Sequence, residues 1–140
     1  MNSNTEKLKI SIITVVKNGE EHIENNILSL LNQTYKNYEH IIIDGNSNDN
    51  TRKIIDKYSK KISKIIHEPD NGLYDAMNKG INLSTGEVIG ILNSDDYFYP
   101  NALEIVSSYF QNNTDIDFLF GSVKKYNKIY SGYYPRKLYW

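Results

Sequence analysis

An α/β fold on a mostly parallel sheet is predicted by three observations. The run Lys9 to Val16 is β-branched, with too little polar alternation for a half-exposed strand. Further apolar runs of strand length alternate with segments of helical periodicity. The predicted strands also end in polar, turn-forming clusters. Such alternation implies right-handed crossovers and a sheet covered on both faces.

The first strand spans Lys9 to Val16. Asn18 and Glu21 then stand at capping-box spacing, and Ile23, Ile27, Leu30 and Leu31 form one apolar face, so a helix is expected from about Glu20 to Asn32. Ile41 to Ile43 form the second strand and deliver Asp44 at its carboxyl end, before the turn and cap signal Gly45 to Asp49. A helix with Ile54, Ile55 and Tyr58 follows, then a short strand over Lys64 to His67 and a helix with Leu73, Met77 and Ile81. Glu87 to Leu92 read as the fourth strand. Pro100 suits the first turn of a helix carrying Leu103, Val106 and Phe110. Ile116 to Phe120 and Val123 to Tyr130 read as two more strands. There is no internal repeat, linker or low-complexity block, and 140 residues with 39% hydrophobic content suit one domain with a real core.

Composition removes several classes of function. Sixteen Lys and Arg against 17 Asp and Glu leave a net charge of −1, which disfavours a cationic nucleic-acid binder. The absence of cysteine excludes disulfide scaffolds, thiolate metal sites and a Cys nucleophile, leaving only oxygen or imidazole ligands for a metal. No stretch approaches a bilayer span and no signal-peptide core opens the chain, so a soluble, cytoplasmic protein is the expectation. Charge is uneven, however. Residues 1–117 carry 17 acids and 11 bases, a balance of −6, whereas residues 118–140 carry five bases and no acid. That end also holds Tyr126, Tyr130, Tyr133, Tyr134, Tyr139 and Trp140, a mixture suited either to an anionic membrane surface or to strand packing.

In parallel sheets, ligands sit outside the carboxyl ends of the strands, where strand order reverses. The polar groups predicted there are Lys17 and Asn18, Asp44, Glu68 and Asp70, and Asn93 to Asp96. Asp95 and Asp96 are adjacent and repel. A hard cation such as Mg²⁺ or Mn²⁺, shared with substrate phosphates, would offset that repulsion, and a solvated loop capping the next helix is the plain alternative. Asp44 likewise suits either a nucleotide contact or ordinary turn chemistry. Neither a dinucleotide-binding glycine loop nor a P-loop occurs, no nucleophile elbow is present, and His22, His40 and His67 fall on different elements.

Several blocks, in order, carry a resemblance. Ile10 to Gly19, Leu28 to Tyr35 and Ile41 to Thr51 resemble the opening blocks of family 2 glycosyltransferases of the GT-A fold. Glu68-Pro69-Asp70-Asn71-Gly72-Leu73-Tyr74-Asp75-Ala76-Met77-Asn78-Lys79-Gly80-Ile81, then Thr85-Gly86-Glu87 and Leu92 to Asp96, resemble the polysaccharide-building branch of that family. Together they cover roughly the first hundred residues, and ordered blocks are far more specific than any single motif.

The resemblance implies a nucleotide-sugar donor, usually a UDP-sugar, and inverting transfer to a saccharide or lipid-linked acceptor. Thr14, Val15 and Val16 would line the nucleobase pocket, and Asp44 would hydrogen-bond the base. Asn93-Ser94-Asp95 occupies the DxD position; Asn93 replaces its first Asp, Asp95 would reach the metal, Mg²⁺ or Mn²⁺, and Asp96 is a second candidate. Asp75 and Asn78 match a segment beside the donor. The family's catalytic acid lies well beyond the DxD, so the expectation is a donor-binding part whose general base and acceptor half lie past Trp140. A silent nucleotide-sugar-binding module and a nucleotidyltransferase-like enzyme stand as alternatives, although Lys17 to Glu21 poorly match the basic glycine loop that the latter needs.

Overall fold

The computed structural model describes residues 7–125 and 128–130. Its core is a four-stranded sheet of β1 (Ile10–Val16), β2 (Tyr38–Asp44), β3 (Lys64–His67) and β4 (Val88–Ile91), ordered β3-β2-β1-β4. All three pairings are parallel, in registers that set Val16 beside Asp44, Asp44 beside His67 and Ile13 beside Ile91. The chain builds outward from β1 to β3 and then returns to place β4 on the other side of β1. The point of reversal therefore lies between β1 and β4.

Every residue of β1 is buried, as its lack of alternation predicts. Ile10 and Ile12 pack with Leu30, Tyr35, Leu92 and Leu103, and Val16 packs with Ile23, Ile27, Ile42 and Ile55. This face is covered by α1 (Ile23–Leu31), α2 (Thr51–Lys57) and α4 (Ala102–Asn112). Ile13 and Val15 point the other way and meet Ile41, Ile43 and Ala76, the last from α3 (Leu73–Leu83). Alternate residues of one strand thus serve two cores.

Four expectations need correction. The capping box at Asn18 does not form: Asn18 adopts a left-handed backbone (φ 53°), and its Oδ1 accepts from Asn48 N at 2.9 Å, so α1 begins only at Ile23. Pro100 precedes α4 by two residues, its carbonyl taken by Thr34 N at 2.8 Å. Ile116 to Phe120 form no strand; no described strand pairs with them, and Phe118 and Phe120 are 59% and 55% exposed. The last run is split into β5 (Val123–Lys125) and β6 (Lys128–Tyr130), which pair antiparallel. Most of the basic, aromatic end lies outside the described residues.

Candidate functional site

A cleft of about 480 Å³ opens outside the carboxyl ends of the strands, at the point where strand order reverses. Val15, Val16 and Lys17 reach it from β1. Asp70, Gly72, Leu73 and Ala76 reach it from the β3–α3 connection and the first turn of α3, and Asn93, Ser94 and Asp95 from the loop after β4. Two details of backbone shape the wall. Gly72 has φ 108°, a conformation that side chains disfavour. A Cβ on Gly45 would stand 2.1 Å from Asp70 Oδ2, so the absence of a side chain there lets Asp70 lie against the end of β2. A second hollow, of about 430 Å³, follows the outer face of α4 and is remote from the strand ends.

The cleft offers hard oxygen donors on two sides. The Asp95 carboxylate is exposed and accepts no hydrogen bond from any described residue, whereas Asp70 Oδ1 accepts from Gly72 N at 2.9 Å. Among the described residues no group of three His, Cys, Asp or Glu is gathered as a metal cage. A carboxylate without partners in an open cleft, with few neighbouring acids, fits Mg²⁺ or Mn²⁺, which take one or two carboxylates and complete their shells with phosphate and water. Lys17 supplies positive charge to the same wall.

The other predicted residues divide. Val15, Val16, Asn93 and Asp95 come together in the cleft lining. Thr14 does not: its side chain is fully buried on the α1 face, donating to Asn26 Oδ1 at 3.1 Å and lying 3.0 Å from His40 Nε2. Period-two alternation turns it away from the wall to which Val15 contributes. Asp44 is 1% exposed, with Oδ1 accepting from the Ser47 amide and hydroxyl and Oδ2 from His67 Nδ1. Asp75 accepts from Asn71 N at 3.0 Å and pairs with Lys79 at 3.4 Å; the Asn71 bond, more than the Lys79 charge, holds its carboxyl below the usual range. Lys79 also pairs with Glu68 at 2.9 Å and donates to Pro69 O, so Asp75 helps pin the loop that bears Asp70. Asn78 and Asp96 are exposed and lie outside the cleft lining.

Sequence reasoning passes over Asn26, Ser29 and Gln33, which reach the loop after β4 from α1 and the residues following it. Their signal is spacing: amide and hydroxyl residues at i, i+3 and i+7 among the apolar positions that define the buried face.

Comparison with known proteins identifies the fold and the family. The model of the Glycosyl transferase family 2 matches residues 11–139. The chain is 35% identical over 120 residues to the UDP-Glc:alpha-D-GlcNAc-diphosphoundecaprenol beta-1,3-glucosyltransferase WfgD of Escherichia coli, covering 84% of this chain and 47% of that protein. It is also 35% identical over 123 residues to the uncharacterized glycosyltransferase MJ1057 of Methanocaldococcus jannaschii, covering 84% of this chain and 42% of that one. The chain thus spans less than half the length of these two relatives. In fold it is similar to S. aureus TarS, solved with UDP-GlcNAc, at TM-score 0.70 and 24% identity over 76% of this chain and 32% of that one. The mannosyltransferase PcManGT of Pyrobaculum calidifontis, solved with GDP-Man and Mn²⁺, is similar at TM-score 0.64 and 19% identity over 75% of this chain and 32% of that one. With its parallel sheet in the GT-A arrangement and a family match over nearly its whole length, the chain belongs to the Glycosyl transferase family 2.

Proposed function

We propose that this chain is the donor-binding part of a cytoplasmic enzyme that transfers a sugar, with inversion, from an NDP-sugar to a saccharide or lipid-linked acceptor in surface polysaccharide synthesis. The observation that carries the reading is the cleft at the strand-order reversal, where Asn93 and Asp95 face Asp70 and Gly72 across a space of about 480 Å³. Relatedness to WfgD favours a UDP-sugar donor and an acceptor linked to a lipid diphosphate.

In this reading Val15 packs against the nucleobase with Val16 beside it at the end of β1, Asp44 accepts a hydrogen bond from the base edge, and Asn93 bonds the ribose. Asp95 would hold Mg²⁺ or Mn²⁺, with Asp96 the second candidate. Such a cation neutralises charge that builds on the leaving nucleoside diphosphate. Asp75 and Asn78 stand beside the donor, Asp75 acting through the Glu68–Asp75 loop. No helix among the described residues is long and apolar enough to cross a membrane. The five bases and the aromatics of residues 118–140 suit the anionic inner surface of a membrane, where a lipid-linked acceptor would lie.

Calorimetric titration with UDP, in Mn²⁺ and in EDTA, tests the reading. Binding is expected to be tighter with Mn²⁺, and Asp95→Asn to remove most of the difference. Equal affinity in both buffers would sink the metal assignment.

A further inference from the structure

Asn26 is fully buried on α1, and the bonds around it leave its amide only one orientation. Its Nδ2 donates to Asn93 O at 2.9 Å and to Asp96 O at 3.0 Å, spending both N–H groups on the carbonyls that bracket Ser94 and Asp95. Its Oδ1 accepts from the Thr14 hydroxyl at 3.1 Å. Because Thr14 gives its proton to Asn26, His40 Nε2, 3.0 Å from the same oxygen, must be the donor to it. Burial keeps that imidazole neutral, with its pKa down at about 3, so donation runs one way from His40 to Thr14 to Asn26 to the loop.

The clasp continues along the same side of the loop. Ser29 Oγ donates to Asn26 O at 2.7 Å and accepts from Phe98 N at 3.2 Å. Gln33 Nε2 donates to Tyr99 O at 2.8 Å while its Oε1 accepts from Leu103 N at 3.0 Å. All the loop atoms held in this way are backbone.

We propose that Asn26 is a positioning residue: supported by Thr14 and His40, it sets the shape of the 93–96 loop and hence the aim of Asp95 into the cleft. The consequence for donor binding rests on the metal role proposed above for Asp95. An apolar residue at this site would take from Asp96 O the partner it has here and leave Asn93 O only Asp96 N and the Thr14 hydroxyl only His40, a cost that fixes the loop to this helix.

The test uses the whole chain as wild type, Asn26→Asp, Thr14→Val and Thr14→Ser, read by amide hydrogen exchange and by UDP titration with Mn²⁺ and with EDTA. Asn26→Asp keeps the shape but sets an oxygen against two carbonyls. It is expected to speed exchange of the Asp96 and Phe98 amides about tenfold relative to β1 and β2. It should also cut the Mn²⁺-dependent gain in affinity about fivefold, with a smaller loss in EDTA through Asn93. Thr14→Val should act in the same direction more weakly, and Thr14→Ser should restore wild-type behaviour. Should Asn26→Asp not fold, Thr14→Val against Thr14→Ser decides alone. Exchange that accelerates equally in β1, β2 and the loop, or that changes nowhere, overturns the proposal. Loop exchange that responds in a chain showing no Mn²⁺ gain upholds the role of Asn26 and removes the metal reading instead.

Discussion

His67 Nδ1 donates to Asp44 Oδ2 at 2.9 Å, joining the last residues of two neighbouring parallel strands. The bond is part-buried, and the other ring nitrogen, Nε2, is buried with no hydrogen-bond partner among the described residues and 3.8 Å from Asp56 Oδ1. With Ser47 on its second oxygen, the Asp44 carboxylate is oriented before any nucleotide arrives.

That preorganisation predicts how Asp44→Ala behaves. Because the proposed contact is to the base, affinity for UDP should fall by about 1 to 3 kcal/mol, equally with Mn²⁺ and with EDTA. Discrimination among UDP, GDP and dTDP should weaken in the same titrations. A loss seen only with metal would place Asp44 at the diphosphate instead.

Gly45→Ala should act at a distance through Asp70. The new methyl group would displace a carboxylate oxygen that stands 2.1 Å from its position, and a side-chain end can move where backbone cannot. Melting should therefore shift by no more than about 1 kcal/mol. Donor affinity should change as it does in Asp70→Ala, and additive effects in the double variant would disprove the shared route.

Acid should destabilise the fold in two stages. Burial lowers the His40 pKa from 6.5 to about 3, so the unfolded chain binds the extra proton first and stability falls as pH drops below 6.5. For Glu39, burial pushes upward, but hydrogen bonds from Ser11 and Thr85, with Lys9 nearby, bring its pKa from 4.5 to about 2. Its stabilisation is present above 4.5 and is lost toward 2, in the same direction. Going from pH 7 to pH 5 should cost about 2 kcal/mol through His40. Urea titrations of His40→Gln should show that early slope removed and the later one intact.

Transfer by the 140-residue chain alone should be negligible. Among the described residues its cleft acids are Asp70 and Asp95; Asp95 is assigned to the cation and Asp70 Oδ1 is engaged by Gly72 N, which leaves Asp70 Oδ2 as the one cleft carboxylate oxygen open to an acceptor hydroxyl. A reaction without a positioned base is slower by about 10² to 10⁴, and one whose acceptor is not oriented is slower still. Acceptor-dependent turnover that disappears in Asp70→Asn would show Asp70 to be the base.

The parallel core was legible because β1 and the Ile41–Ile43 run of β2 lack the polar alternation of a half-exposed strand, and a strand buried on both faces leaves that mark. Asp95 and Asn93 were legible because an apolar strand breaking into polar residues marks a carboxyl end. Thr14 was misplaced because the match to Thr14-Val15-Val16 takes three consecutive residues together, whereas a strand sends neighbours to opposite faces. Asn26 escaped notice because its partners lie 67 and 70 residues away, and a buried amide looks like any polar helix residue until they are known. Ile116 to Phe120 have strand composition, but composition supplies no neighbour to pair with.

The clasp from α1 grips only main-chain atoms of the loop after β4, while the side chains of Tyr97 and Tyr99 remain 65% and 57% exposed. The loop's path is therefore insulated from its chemistry. Asn93 enters the clasp through its carbonyl alone, so its side chain is free for other work. Outward-facing side chains of the loop can be exchanged while its shape is kept by the helix behind it.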